Sequence, residues 1–224
     1  MKPVQQPSRS LVRDGSAVPE AIESDERNRT KAEATRSRIL DAAAKVFRAR
    51  GYVGARLTDI AAEAGLQAGS LYYHFDSREA LVEEVMWAGQ QRTEQQVRQA
   101  LAALAPTVCP RVRLRTATRA HLLAVLASTD ATSASIKMLN QVPADIRERM
   151  LAGQRAYGEL WRQLLIDARE HGDLRPGLDL SVVRMTIVGA LNYTVEWYHP
   201  EEGPPEKIAE DMATVMLDGL LEHR

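Results

Sequence analysis

Residues 57–75 read LTDIAAEAGLQAGSLYYHF, and the spacing within this stretch decides the fold. Ile60 and Ala61 suit the inward side of a short helix over Thr58 to Ala64, and Gly65 stands where a left-handed residue would end it. A second short helix follows over Ala68 to Phe75, with Leu71 and Phe75 four residues apart and so on one face. That face is expected to pack against Ile60, Leu66 and Phe47. Upstream, Thr30 and Glu33 fit a capping box, and Ile39, Leu40, Ala43, Val46 and Phe47 repeat with helical spacing until Gly51 stops the run. Three helices thus share one small core between residues 30 and 80.

Helical signals continue to the end of the chain. Asp76 to Glu79 read as a cap that opens a long helix to about Ala105. After Pro106 and Pro110 a helix over Val112 to Ala127 is expected, then a shorter one with Ile136 and Leu139. An apolar stripe from Pro143 to Ala168 is closed by His171 and Gly172. Asp179 caps a helix with a wide apolar arc from Val182 to Trp197, and Pro205 starts the last, which carries Ile208, Met212, Met216 and Leu220. The chain has 32 alanines and 24 leucines in 224 residues, with 5% aromatics, as an all-α protein would. The expected fold is an N-terminal three-helix domain (30–80) and a C-terminal helical domain (81–224). Residues 1–29 hold Pro3, Pro7, Gly15 and Pro19 without any period and read as a disordered tail.

Net charge is −1, yet Arg27 to Arg56 hold nine basic and two acidic residues, a local charge of 9 − 2 = +7. A short helix, a turn of Gly65, Leu66 and Gln67, and a second short helix make a helix-turn-helix, whose second helix enters the DNA major groove. With Leu71 and Phe75 inward, Ala68 and Tyr72 turn outward with Gly69 and Tyr73 beside them. Small residues at Ala68, Gly69 and Ser70 allow close approach to the groove floor. Gln67, Ser70 and Tyr72 are then the side chains suited to base edges, and Thr58, Tyr73, His74 and Arg78 those suited to phosphates, with Arg36 on the basic arm. Taken alone, Tyr72 to Phe75 also reads as an aromatic core cluster.

Ile39-Leu40-Asp41-Ala42-Ala43, Gly51-Tyr52, Asp59 to Gly65 and Gly69 to Phe75 together resemble the tetracycline-repressor (TetR) family over about residues 30 to 85. The resemblance implies a repressor bound to a palindromic double-stranded operator as a homodimer and released by a small-molecule effector. One position departs from the family pattern: Arg56 stands where a small hydroxyl residue usually caps the second helix. Thr58 is the substitute cap on this reading, with the helix start shifted by about a turn and Arg56 left for phosphate, groove or solvent. Glu170 to Pro176 and Val195 to Pro200 are similar to the branch controlling sterol and fatty-acid breakdown, whose effectors are acyl-coenzyme A thioesters. An efflux-type regulator of lipophilic drugs is the alternative, and a helical enzyme or scaffold the rival of a different class.

Candidate effector residues are Arg115, Arg119 and Arg184 for phosphates and His121, Met150, Tyr157, Trp161 and Asn192 for the remainder, against the plainer reading that they are core, dimer surface or solvated. The last two helices are expected to form the dimer contact. No metal-spaced His/Cys cluster, phosphate loop or nucleophile elbow is present, so neither a cofactor nor a catalytic role is expected. The longest charge-free run, Gln99 to Pro110, is too short to span a membrane, and Cys109 is the single cysteine. A cytoplasmic protein without membrane attachment is expected.

Overall fold

The computed structural model describes residues 20–126, 130–199, 201 and 203–218, with side chains from residue 29 onward. Among these residues lie ten helices: α1 (Glu20–Gly54), α2 (Leu57–Glu63), α3 (Ala68–Leu71), α4 (Arg78–Ala102), α5 (Pro110–Leu126), α6 (Asp130–Met138), α7 (Ala144–Gly153), α8 (Arg155–Glu170), α9 (Leu180–Trp197) and α10 (Pro205–Asp218). The chain divides after Arg36 into two compact units. In the first, α1 begins ten residues before the expected start at Thr30. The sequence after Pro19 explains this: Glu20 to Arg29 contain neither Gly nor Pro, and Glu20, Glu23, Asp25 and Glu26 suit the positive end of a helix. The rest of the expected tail, residues 1–19, lies outside the described residues.

In the second unit, glycines end helices where the sequence placed them. Gly51 (φ 67°, ψ −176°) kinks the end of α1, and Gly65 (φ 65°) closes α2. The amide freed at the first kink is not left bare, because Tyr52 N–H donates to Gln141 Oε1 at 2.8 Å. Ser77, one residue after the expected Asp76, caps α4 by accepting from Ala80 N–H at 3.0 Å. Asp179 caps α9 as the sequence indicated, accepting from the amides of Ser181 and Val182.

Two apolar clusters build the interior. The first joins Ile39, Phe47, Ile60, Leu71, Phe75 and Leu81 to Met138 of α6 and Met150 of α7. The second gathers residues of α5, α8, α9 and α10 around Trp161, Leu165, Ile187 and Leu191. Helix α4 belongs to both, contributing Val82, Val85 and Met86 to the first and Val97 and Leu101 to the second. At 1.5 Å per residue, this 25-residue helix is a strut of roughly 38 Å joining the two cores.

Three expected boundaries move. Helix α3 stops at Leu71, and the chain to Phe75 continues as a tightened turn with His74 N–H bonded to Leu71 O at 3.0 Å. Helix α4 ends at Ala102. The stripe expected from Pro143 to Ala168 is divided between α7 and α8 at Gln154 (φ −73°, ψ −7°). A methyl group at Gly153 would fall 2.1 Å from Trp87 Cη2, so the glycine lets the indole lie against the helix backbone. No helix among the described residues is long and apolar enough to cross a membrane.

Candidate DNA-reading face and effector cavity

Burial sorts the side chains of the helix-turn-helix into two sets. Ile60, Leu71 and Phe75 are buried, while Tyr72 and Tyr73 are 61% and 90% exposed. Two large aromatic rings exposed side by side make an apolar patch of the kind that marks an interaction surface. Gln67 and Gly69 are exposed beside them, Ala68, Ser70 and His74 are half-buried, and a methyl group built on Gly69 meets nothing within 4 Å. This surface is therefore flat and small at its centre. Arg36 lies half-buried on α1.

The expected capping by Thr58 is corrected. Helix α2 starts at Leu57, so Arg56 itself takes the N-cap position in an extended conformation (φ −111°, ψ 147°) without a side-chain cap, and Thr58 lies exposed in the first turn. Asp59 in that turn compensates, interacting with the helix dipole while paired to Arg50. Arg78 is also corrected. Its guanidinium lies 4.2 Å above the Tyr52 ring and donates to the carbonyl oxygens of Tyr52 and Ala55, at 3.3 Å for the latter. It serves as a clamp on the corner between α1 and α2, and the expected phosphate contact gives way to this positioning role.

A cavity of about 270 Å³ opens beside α4 between the two cores. Its walls include Trp87, Gly89 and Gln90 of α4, His121 of α5, Ser135 of α6 and Tyr157 of α8, with Asn192 of α9 closing one side. His121 is 2% exposed and uses both ring nitrogens, Nδ1 with Tyr157 Oη at 2.7 Å and Nε2 with Asn192 Oδ1 at 3.0 Å. The tautomer follows from the partners: Asn192 Oδ1 only accepts, so Nε2 donates to it, and Nδ1 accepts from the Tyr157 hydroxyl. The Tyr157 ring is stacked with the imidazole at 5.9 Å, and the Trp161 ring meets it edge-on at 5.8 Å.

Burial pushes the His121 pKa from 6.5 down to about 4, against a smaller opposing effect of the Asn192 hydrogen bond. The Tyr157 phenol is pushed up by the same desolvation. Because the unfolded chain takes up a proton on His121 near pH 6.5 and the fold resists it down to about 4, this stability is complete above pH 6.5 and is lost as pH falls toward 4. Urea unfolding at pH 5 is expected to show about 2 kcal/mol less stability than at pH 7.5 from this group. The difference should shrink in His121→Gln, whose side chain does not titrate, and an unchanged pH dependence would show that His121 is not held neutral.

His121, Tyr157 and Asn192, far apart in sequence, thus meet at the cavity. Met150 and Trp161 lie fully buried behind the walls, each in one of the two cores. The expected phosphate arginines are corrected. Arg115 Nη1 is bound to Glu210 Oε1 at 2.8 Å and to Thr214 Oγ1 at 3.1 Å, and Arg119 Nε lies 2.7 Å from Glu210 Oε2, so both are engaged by α10. Arg184 sits half-buried on α9 with its guanidinium against Gly158 of α8, and is not among the residues that line the cavity. The sequence reading missed the α4 contribution of Trp87, Gly89, Gln90 and Thr93. Residues Gln90 to Gln96 are all polar, so the sequence carried no signal that Gln90 and Thr93 are enclosed. Among the described residues no His, Cys, Asp and Glu grouping suits a metal, and Cys109 is exposed.

Family models match both parts of the chain: "Bacterial regulatory proteins, tetR family" over residues 39–85 and "Tetracyclin repressor-like, C-terminal domain" over residues 108–220. This chain belongs to the TetR family. Among its TetR relatives, the HTH-type transcriptional repressor KstR2 of Mycolicibacterium smegmatis is 30% identical over 194 residues, 83% of this chain and 90% of that protein. KstR2 of Rhodococcus jostii is 27% identical over 187 residues, with the same two shares. Of solved structures, the ketosteroid transcriptional regulator KstR2 of Mycobacterium tuberculosis superposes with a TM-score of 0.73 at 25% identity, covering 84% of this chain and 95% of that one. The TetR-fold protein AibR, solved in complex with isovaleryl coenzyme A and operator DNA, gives 0.72 at 25% identity, covering 81% and 97%.

Proposed function

We propose that this TetR-family protein is a ligand-responsive repressor. It grips a palindromic operator as a homodimer and leaves it when an acyl-coenzyme A thioester occupies the cavity beside α4. The observation that carries this reading is the position of that cavity. Gly89 and Gln90 line it at the middle of the helix whose N-terminal half is built into the helix-turn-helix core. A ligand can shift a regulator off DNA only by favouring one arrangement of the two parts, and α4 is the element both parts share. The solved AibR complex with isovaleryl coenzyme A and operator DNA supports an acyl-coenzyme A as the ligand class.

In this reading residues 30–80 form the DNA-binding domain and residues 81–224 the effector-binding and dimerisation domain. Gln67, Ser70 and Tyr72 read bases across the small surface of Ala68 and Gly69, while Arg36, Arg56, Thr58, Tyr73 and His74 take the backbone. Fluorescence anisotropy with a selected operator decides the matter. Isovaleryl-coenzyme A or a longer acyl thioester should release the DNA where the free acid does not. Release by a lipophilic cation alone would favour the efflux-type alternative.

The homodimer forms through α9 and α10. Val182, Met185 and Tyr193 are 63%, 60% and 65% exposed on one stripe of α9, with Gly189 among them, and Val215 of α10 is 77% exposed. An apolar stripe of this kind on a helix pair is what a symmetric four-helix contact buries. Met185→Glu is expected to give a monomer by sedimentation at micromolar concentration and to abolish cooperative operator binding, while the unfolding midpoint of the subunit core is retained. An intact dimer would place the interface elsewhere.

A further inference from the structure

The polar groups of the cavity do not all balance within the protein. The imidazole of His121, the Tyr157 hydroxyl and the Asn192 carbonyl satisfy one another in a chain. Gln90, which also lines the cavity, does not join it: Nε2 and Oε1 are both buried and neither has a hydrogen-bond partner among the described residues. A primary amide without partners at either end is among the more expensive things a fold can keep, and replacing it by an apolar side chain of similar shape would remove that cost. Its retention at a cavity wall marks it as a group whose partner arrives from outside.

Charge then limits what that partner can be. Among the described residues no lysine or arginine lines the cavity, and the one carboxylate that does, Glu94, is bound to Arg98 at 2.8 Å. A ligand carboxylate would enter without a counter-ion and beside a like charge, and a ligand cation would find the only acid already paired. What remains is a neutral group with an exposed oxygen. We infer that the cavity receives its ligand as an uncharged carbonyl compound, that the Gln90 amide, covered in the free protein, turns into the cavity so that Nε2–H donates to the ligand's oxygen, and that any charged part of the ligand stays outside the cavity. This deepens the acyl-thioester reading and rests on it: the thioester carbonyl and acyl body enter, and the nucleotide does not. Discrimination against the free acid then comes from the unpaired carboxylate and not from phosphate-binding arginines.

The test uses the full-length protein and matched sets of probes. Each set carries one apolar body, from isovaleryl to a fused-ring size, as the N-acetylcysteamine thioester, the carboxylate and the trimethylammonium compound. Binding is followed by calorimetry and by quenching of Trp87, which lines the cavity. With the best-fitting body, the neutral thioester is expected to bind at least tenfold more tightly than either charged partner. Gln90→Met should lower that affinity at least tenfold while raising the unfolding temperature, a combination that a merely structural glutamine would not produce. Preference for the acid or the cation, no neutral probe binding, or equal affinity in Gln90→Met overturns the inference. The two levels separate: neutral thioesters binding through Gln90 without operator release by any acyl-coenzyme A would overturn the effector reading alone, and equal release from wild type and Gln90→Met would overturn the inference alone.

Discussion

Gly89→Ala is expected to destabilise the protein by roughly 1–3 kcal/mol and to weaken operator binding about tenfold in the absence of any ligand. The added methyl would fall 2.3 Å from the carbonyl oxygen of Ala131, 2.8 Å from its carbon and 3.0 Å from Ser135 Cβ. Two of these atoms are backbone, so no rotamer change relieves the clash, and α4 and α6 must move apart. The contact they lose is a specific one: Thr132 Oγ1 of α6 donates to the Gly89 carbonyl at 3.5 Å, an oxygen that keeps its bond from Thr93 Oγ1 within α4 at 3.2 Å. Helix α6 also places Met138 in the helix-turn-helix core and ties Asp130 to Arg48 of α1 at 2.8 Å. Displacing it therefore disturbs the DNA-binding part from a residue that also lines the cavity. Denaturant midpoints and operator titrations on the one variant measure both effects. Wild-type stability would show that α6 yields freely. Lost stability with unchanged DNA affinity would show that the contact between α4 and α6 does not communicate with the head.

How much of this was legible in the sequence depends on the range of the interactions that set each feature. Gly65, Leu71 and Phe75 act within one short segment, and the helix-turn-helix could be read from their spacing because the left-handed turn and the inward pair are local requirements. Asp179 was legible for the same reason, since an N-cap bonds to amides two and three residues away. Arg115 and Arg119 could not be placed. Their partner Glu210 lies about ninety residues on, and nothing near α5 distinguishes an arginine held by a distant carboxylate from one waiting for a phosphate. Arg78 failed similarly, because its clamp on Tyr52 and Ala55 depends on how α1 turns at Gly51. Gln90 reads as the start of a polar, solvated stretch, Gln90 to Gln96, and only the arrival of α6 at Gly89 encloses it. His121, Tyr157 and Asn192 were each visible as polar residues on apolar stripes, but their convergence on one imidazole is a tertiary fact.

Operator binding is expected to fall about a hundredfold in Gly69→Leu, roughly 3 kcal/mol, with no loss of stability. In the free protein a side chain at this position enters open space, since even the first carbon meets nothing within 4 Å, and leucine favours helix over glycine by about 1 kcal/mol. The variant should therefore unfold at the same or slightly higher denaturant concentration. Against DNA the same branched chain stands between the helix backbone and the groove floor, where the small surface of Ala68, Gly69 and Ser70 admits close approach. It lifts every neighbouring contact at once. Tyr73→Ala provides the contrast. Its ring is 90% exposed, so its removal should leave stability unchanged, weaken binding about tenfold on all sequences, and reduce the dependence of affinity on salt if its neighbours at the phosphates shift with it. Gln67→Ala should instead relax preference at particular base pairs in a randomised operator library. Full operator affinity in Gly69→Leu would mean that α3 does not approach the groove through this face, and the exposed tyrosines would then need another partner to cover them.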